Sequence, residues 1–319
     1  MHQIIAKILS LYGISSSKCM FIILIGLSMS VYASDQKEVG LMEQQNLLVS
    51  IHPMALLIKS AWPELKVSSL VKANQSPHDF VLKPSDISRI KSVDAVVWMG
   101  ADFEPYLKNV IRGMAQVDVS KVLRKDDHAG HEGHEGHEDK QHKSHNDMGR
   151  DVHTGHEHDH DPHLWLAPAS INPIISLVQK ELGLPDPVAF LTSFDAWLVQ
   201  AHKQLGKSQK IGFVSFHGAY DEWIAAFNLN QLAAVTSNPE KPVGTRHIVE
   251  VRKILESGRA NCLFVEPQFQ SRIVTKLHQG LDISVINIDP MASNYEISDA
   301  GFISYYEELL SNFTQCLTK

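Results

Sequence analysis

Short, unbroken apolar runs alternate with amphipathic stretches through most of this chain, and no other feature narrows the fold as much. Strand candidates in the first half are 46–51 (NLLVSI), 66–71, 94–99 (DAVVWM) and 116–122, and helix candidates are 54–62, 84–91 and 104–112. The second half repeats the theme, with strand candidates at 211–216, 231–236, 262–266 and 284–288. Its helix candidates are 220–227, 245–256, 271–279 and 301–316. A strand that is apolar throughout is buried on both faces, and a β-α-β-α order supplies the helices that cover it. The expected architecture is α/β: two lobes, each a parallel sheet flanked by helices. A length of 319 residues also favours two domains.

Between the halves, after Asp186-Pro187, residues Phe190, Leu191, Phe194, Trp197, Leu198, His202 and Leu205 fall on one helical face. This predicts a single long helix over 188–205 that joins the lobes more stiffly than a flexible linker. The expected division is an N-terminal lobe over 34–166, a linking region over 167–206 and a C-terminal lobe over 207–319. In the last helix candidate Phe302, Tyr305, Tyr306, Leu309, Leu310 and Phe313 recur at helical spacing and read as core. The segment 126–161 breaks the pattern. It is nearly all His, Asp, Glu, Gly, Lys and Ser, cannot bury enough apolar surface to offset chain entropy, and is expected to be disordered.

The first 33 residues read as a cleavable secretion signal. Lys7 and Lys18 precede an apolar run from Cys19 to Leu27 that is too short to span a bilayer. Val31-Tyr32-Ala33 places small residues for cleavage before Ser34. The expected product is a soluble, monomeric, exported protein of the periplasm. The net charge of −7 argues against nucleic acid as a partner. Once Cys19 leaves with the signal, Cys262 and Cys316 remain, an even pair in an oxidising compartment. They read as a structural disulfide closing a loop of about 50 residues. The rival reading, a pair of zinc thiolates, has no C-x-x-C spacing behind it.

The loudest chemical signal lies in the tract. His128, His131, His134 and His137 recur every third residue, and His142, His145, His153, His156, His158 and His160 follow. Neutral imidazole is a good ligand for zinc, copper and nickel, and the interleaved acids add oxygen donors. Such a segment should bind weakly and promiscuously, because ordering it costs entropy each time. Specific binding calls for a preorganised site. His78 follows the second strand candidate, His163 stands where the tract returns to ordered chain, and His217 ends the strand candidate 211–216. Ligands of open parallel sheets bind beyond the carboxyl ends of strands. Asp289 ends another strand in the same sense and is a candidate fourth ligand, with water as the alternative. His52 is a further candidate, while His202, His247 and His278 fall within helices and read as structural. Three imidazoles plus water or one carboxylate suit tetrahedral zinc, whereas manganese and magnesium prefer more oxygen. The same donors can build a hydrolase, but H-E-x-x-H is absent and Pro162 occupies the acid position of an H-x-H-x-D-H pattern. An enzyme is not expected.

These residues carry a resemblance. Ser76-Pro77-His78-Asp79-Phe80 followed by Lys83-Pro84-Ser85-Asp86, then 94–100, 163–168, 216–220, Asn238-Pro239-Glu240, 262–269 and Asp289-Pro290 span essentially the whole mature chain. Together they resemble the periplasmic zinc-binding components of high-affinity zinc ABC importers, the ZnuA group of cluster A-I solute-binding proteins. The resemblance implies two α/β lobes joined by a rigid helix, with the metal in the cleft between them. It carries His78, His163 and His217 over as ligands. A histidine at the third position resembles the zinc members, whereas manganese and iron members usually have Glu. The acid that some zinc members place before the first histidine is Pro77 here, which leaves water or Asp289. The family's C-terminal disulfide corresponds to Cys262–Cys316. The implied function is to capture Zn(II) for a membrane permease, with the tract as an auxiliary collector or sensor. Alternatives are an importer component for manganese or iron, or a periplasmic zinc buffer or chaperone.

Overall fold

The computed structural model describes residues 45–123, 163–207, 210–269 and 272–318. The expected signal peptide and the tract 126–161 lie outside the described residues. Two four-stranded sheets are present, and every strand pair is parallel. The first contains β1 (Asn46–Val49), β2 (Lys66–Ser69), β3 (Ala95–Trp98) and β4 (Ala115–Asp118), in the order β2-β1-β3-β4. The second contains β5 (Gly212–His217), β6 (Asn230–Thr236), β7 (Ala260–Val265) and β8 (Ser284–Asn287), in the order β6-β5-β7-β8. In each sheet the chain reverses direction of winding beside its first strand, which opens a crevice at the carboxyl ends of β1 and β3, and again of β5 and β7.

The central strands β1, β3, β5 and β7 are buried on both faces because each face meets a different core. Leu47 and Val49 of β1 join the largest core, while Leu48 between them joins a second one with Val96, Trp98 and Leu107. In the second sheet Phe213 and Phe264 face the largest core, and Val214, Phe216 and Leu263 face a third. The largest core therefore runs through both sheets. Helices α1 (His52–Ala61) and α2 (Pro84–Lys91) connect the first three strands. Both carry Pro in the first turn, where its missing N–H costs nothing.

Two connections differ from the sequence reading. The segment 104–112 is a chain of turns rather than a helix. Leu107 N donates to Glu104 O, and Ile111 N to Leu107 O, each at 3.0 Å. Leu107 and Ile111 lie inside, four residues apart, and Glu104 turns its carboxylate inward to accept from Met99 N at 2.7 Å. Conversely, 168–182 holds a helix that was not anticipated: α3 (Pro168–Leu182) buries Ile171, Ile174, Ile175 and Val178. Gly183 ends it with φ of 65°, a left-handed conformation that glycine adopts without a Cβ penalty.

Helix α4 (Val188–Leu205) occupies the expected range and buries Phe190, Phe194, Trp197, Ala201 and Leu205. Helices α5 (Asp221–Phe227), α6 (Thr245–Glu256) and α7 (Arg272–His278) flank the second sheet. Helix α8 (Gly301–Leu317) binds the whole together. Its first turn makes a hydrogen bond into the first unit, from Phe302 N to Ser60 Oγ at 3.1 Å. Tyr306 packs on Trp197 of α4 with ring centroids 4.9 Å apart, and Phe313 packs on Phe264 of β7 at 4.6 Å. Near its end, Cys316 is bonded to Cys262 of β7, with Cα atoms 5.8 Å apart.

These contacts set two expectations for stability. Replacing both Cys262 and Cys316 by Ser opens a loop of 54 residues' separation. Chain entropy puts the loss at about 4 kcal/mol. An unchanged denaturation midpoint would show that the bond adds nothing. Glu104 is fully buried, and that burial pushes its carboxyl up to about 7. The folded chain then holds this proton more tightly than the unfolded chain. The associated stability is present below the ordinary carboxylate range and is lost as pH rises through about 7. Glu104→Gln keeps an acceptor and removes the charge. It should gain on the native chain between pH 5 and pH 8, by up to about 3 kcal/mol, in denaturant titrations. An equal difference at both pH values contradicts the account.

Candidate metal site

His217 is the last residue of β5, so the strand itself carries its imidazole to the crevice of the second sheet. His163 precedes a single 3-10 turn, Leu164–Leu166, with Leu166 N donating to His163 O at 2.8 Å. That turn is anchored on the second half of the chain. Trp165 is fully buried, donates from Nε1 to Pro290 O at 2.7 Å, and accepts at its carbonyl from Tyr306 Oη at 2.7 Å. His78 comes from the loop between β2 and α2, where its N–H donates to Ser76 Oγ at 3.3 Å.

The three rings meet. Centroid separations are 5.4 Å for His78–His163, 5.2 Å for His78–His217 and 5.0 Å for His163–His217. One nitrogen from each lies within 4.8 Å of the other two. Tetrahedral zinc with bonds of about 2.1 Å sets its nitrogens roughly 3.4 Å apart, so closing on an ion requires side-chain shifts of order 1 Å. His163 and His217 are 3% and 2% exposed. The rings border a cavity of about 10 Å³, room for one water-sized body. Phe103 packs edge-on against His78, with ring centroids 6.0 Å apart.

His217 shows how the site is polarised. Its Nδ1 lies 3.0 Å from Glu266 Oε1, and both residues are buried. A carboxylate only accepts, so Nδ1 carries the proton and Nε2 carries the lone pair. That Nε2 is buried with no hydrogen-bond partner among the described residues. A buried acceptor left this way costs about 1–3 kcal/mol, which a cation at the site would recover. A carboxylate behind a ligating imidazole fixes the tautomer and raises ligand basicity. Glu266 follows β7 directly and β7 pairs with β5, so the bond bridges the second sheet's crevice.

Not every candidate joins the group. Asp289, a candidate fourth ligand, lies outside it. Its Oδ1 accepts from Met291 N at 2.9 Å and Gln268 Nε2 at 2.7 Å, and its Oδ2 accepts from Ser293 N at 2.6 Å and Ser293 Oγ at 2.5 Å. Both oxygens are engaged in holding the turn after β8. His52 is also elsewhere, with Nε2 2.8 Å from Tyr295 O. His202 packs on Phe227 and His247 Nε2 lies 2.9 Å from Ala234 O. The tract histidines lie outside the described residues. Glu266 and Gln268 line the cavity and had been given no role. Their one visible signal was position, at the end of a strand that could neighbour the strand of His217.

The family model for ZnuA, zinc-uptake complex component A periplasmic, matches residues 47–316. The chain belongs to this family. ZnuA proteins are solute-binding components rather than enzymes. A curated high-affinity zinc uptake system protein ZnuA of Haemophilus ducreyi is 29% identical over 295 residues, covering 86% of this chain and 94% of the relative. The protein of the same name from Haemophilus influenzae is 29% identical over 321 residues, covering 88% and 95%. Among solved structures, a ZnuA deletion mutant with zinc bound superposes with a TM-score of 0.64 at 19% identity, over 86% of this chain and 98% of that one. At that identity the likeness shows the shared two-unit fold.

The polarised pair yields a prediction. Glu266→Ala should weaken zinc binding 10- to 100-fold, as loss of an outer carboxylate partner does, and Glu266→Gln should lose less because it still accepts from Nδ1. Calorimetry checks this. Equal affinity of Glu266→Ala and the native chain contradicts it.

Proposed function

We propose that this ZnuA family member captures one Zn(II) in the periplasm through His78, His163 and His217 and hands it to the membrane permease of an ABC importer. The observation that carries the reading is the convergence of three imidazoles on one small buried cavity, with no carboxylate of the described residues in the same group. Three neutral nitrogen donors and one open position match tetrahedral zinc, and the oxygen-rich shell that manganese favours is not offered. The names of the curated relatives point the same way.

In this reading residues 1–33 are removed at export, and the mature chain works as a monomer. The lobes 34–166 and 207–319, linked by 167–206, present the loaded cleft to the permease. Helix α8 contacts both units, so handover proceeds by small rotations and loop shifts rather than by wide hinge closure. The tract 126–161 gathers zinc loosely near the cleft and serves as collector or sensor.

Calorimetry on the untagged mature chain should show one tight event plus weaker ones. Alanine at His78, His163 and His217 together should abolish the tight event, and its survival would sink the assignment. Deletion of 126–160 should remove the weak events and leave the tight one. Loss of tight binding on that deletion contradicts the division of labour.

A further inference from the structure

Gln268 stands on the rim of the three-histidine cavity, two residues beyond Glu266. Its amide is held at one end only. Nε2 donates to Asp289 Oδ1 at 2.7 Å, while Oε1 is buried with no hydrogen-bond partner among the described residues. The orientation is forced by chemistry. A carboxylate cannot donate, so the NH₂ group must face Asp289 and the carbonyl oxygen must point the other way. Asp289 is itself clamped by Met291 N and by Ser293 N and Oγ, so it cannot swing out without breaking the turn. Glu266 presents a second acceptor of the same kind: Oε1 is taken by His217 Nδ1, and Oε2 is buried without a partner among the described residues.

A water bound to a cation gives a lone pair to the ion and keeps both hydrogens to donate. Besides the histidines, the cavity lining holds two residues with unengaged buried acceptors, Glu266 and Gln268. We infer that Gln268, oriented by Asp289, and Glu266 Oε2 together hold the water that completes the coordination of the ion. Asp289 then serves the fourth position at one remove, as a positioning residue rather than a ligand. This rests on the three-histidine assignment above. It accounts for three observations at once: a carboxylate near the site with both oxygens engaged, an amide held at one end, and a buried carboxylate oxygen with nothing to accept.

The test is a double-mutant cycle on the full mature chain, with zinc affinity read by competition with a chromogenic chelator. Gln268→Leu preserves bulk and removes the acceptor. It should weaken zinc binding at least tenfold while the melting temperature holds. Asp289→Ala should also weaken binding, but add nothing when combined with Gln268→Leu, because it acts through Gln268. Cobalt(II) at one equivalent supplies a readout that a merely structural role would not move. The visible d–d bands of the native chain should indicate four-coordination, and those of Gln268→Leu should change in intensity as the water loses its anchor. Native affinity and spectrum in Gln268→Leu overturn the inference. So does a full additive loss in the double variant, which would make Asp289 a ligand in its own right. Single alanine variants at His163 and His217 separate the two levels. If they bind like the native chain, the histidine assignment fails and the water site with it. If they lose binding while Gln268→Leu does not, only the water site fails.

Discussion

The hydrogen bond between His217 Nδ1 and Glu266 Oε1, 3.0 Å long and shielded from solvent, joins the ends of two neighbouring strands where the second sheet changes its winding. Breaking it from either side leaves a polar group buried and unpaired, so the two strand ends are held in one arrangement. It also decides which nitrogen of His217 is available, since the proton is committed to Glu266 and the lone pair faces the cavity. His163 is brought to the same place by a separate anchor. Trp165 is gripped by Pro290 O and by the hydroxyl of Tyr306 on α8. Two of the three imidazoles are thus set by the second sheet and the last helix, although one of them precedes that sheet in the chain by about fifty residues.

His78 is the exception. It arrives from a loop of the first unit and is the most exposed of the three. The site is complete only when this loop meets the other two rings, so it depends on how the two units are held together. The largest core, continuous through both sheets, and helix α8, which touches α1, α4 and β7, supply that rigidity. A receptor of this construction needs little rearrangement to close on an ion.

Much of this was legible in the residues. Strand positions followed from apolar runs because burial on both faces leaves no room for alternation, and the stripe from Phe302 to Phe313 marked α8 directly. The helix 245–256 occupies the range of its candidate. The misreadings have physical causes. Leu107 and Ile111 are spaced like a helix, but the inward pull on Glu104 makes the segment a series of turns. Helix α3 carries Pro173 in its interior, and it follows the tract so closely that it read as linker. A strand end marked His217, His78 followed a strand candidate, His163 stood where the tract returns to ordered chain, and the family resemblance singled out all three. The hydrogen bonds of Glu266, Gln268 and Asp289 were hidden because they depend on which strands become neighbours. Glu266 meets a partner 49 positions away, and Asp289 accepts from Gln268 and Ser293.

The most direct test of the central claim is X-ray absorption at the zinc edge on the untagged mature chain loaded with one equivalent of Zn(II). The account predicts a four-coordinate shell of three imidazole nitrogens and one oxygen at about 2.0–2.1 Å. A shell containing sulfur, or fewer than three imidazoles, would contradict it.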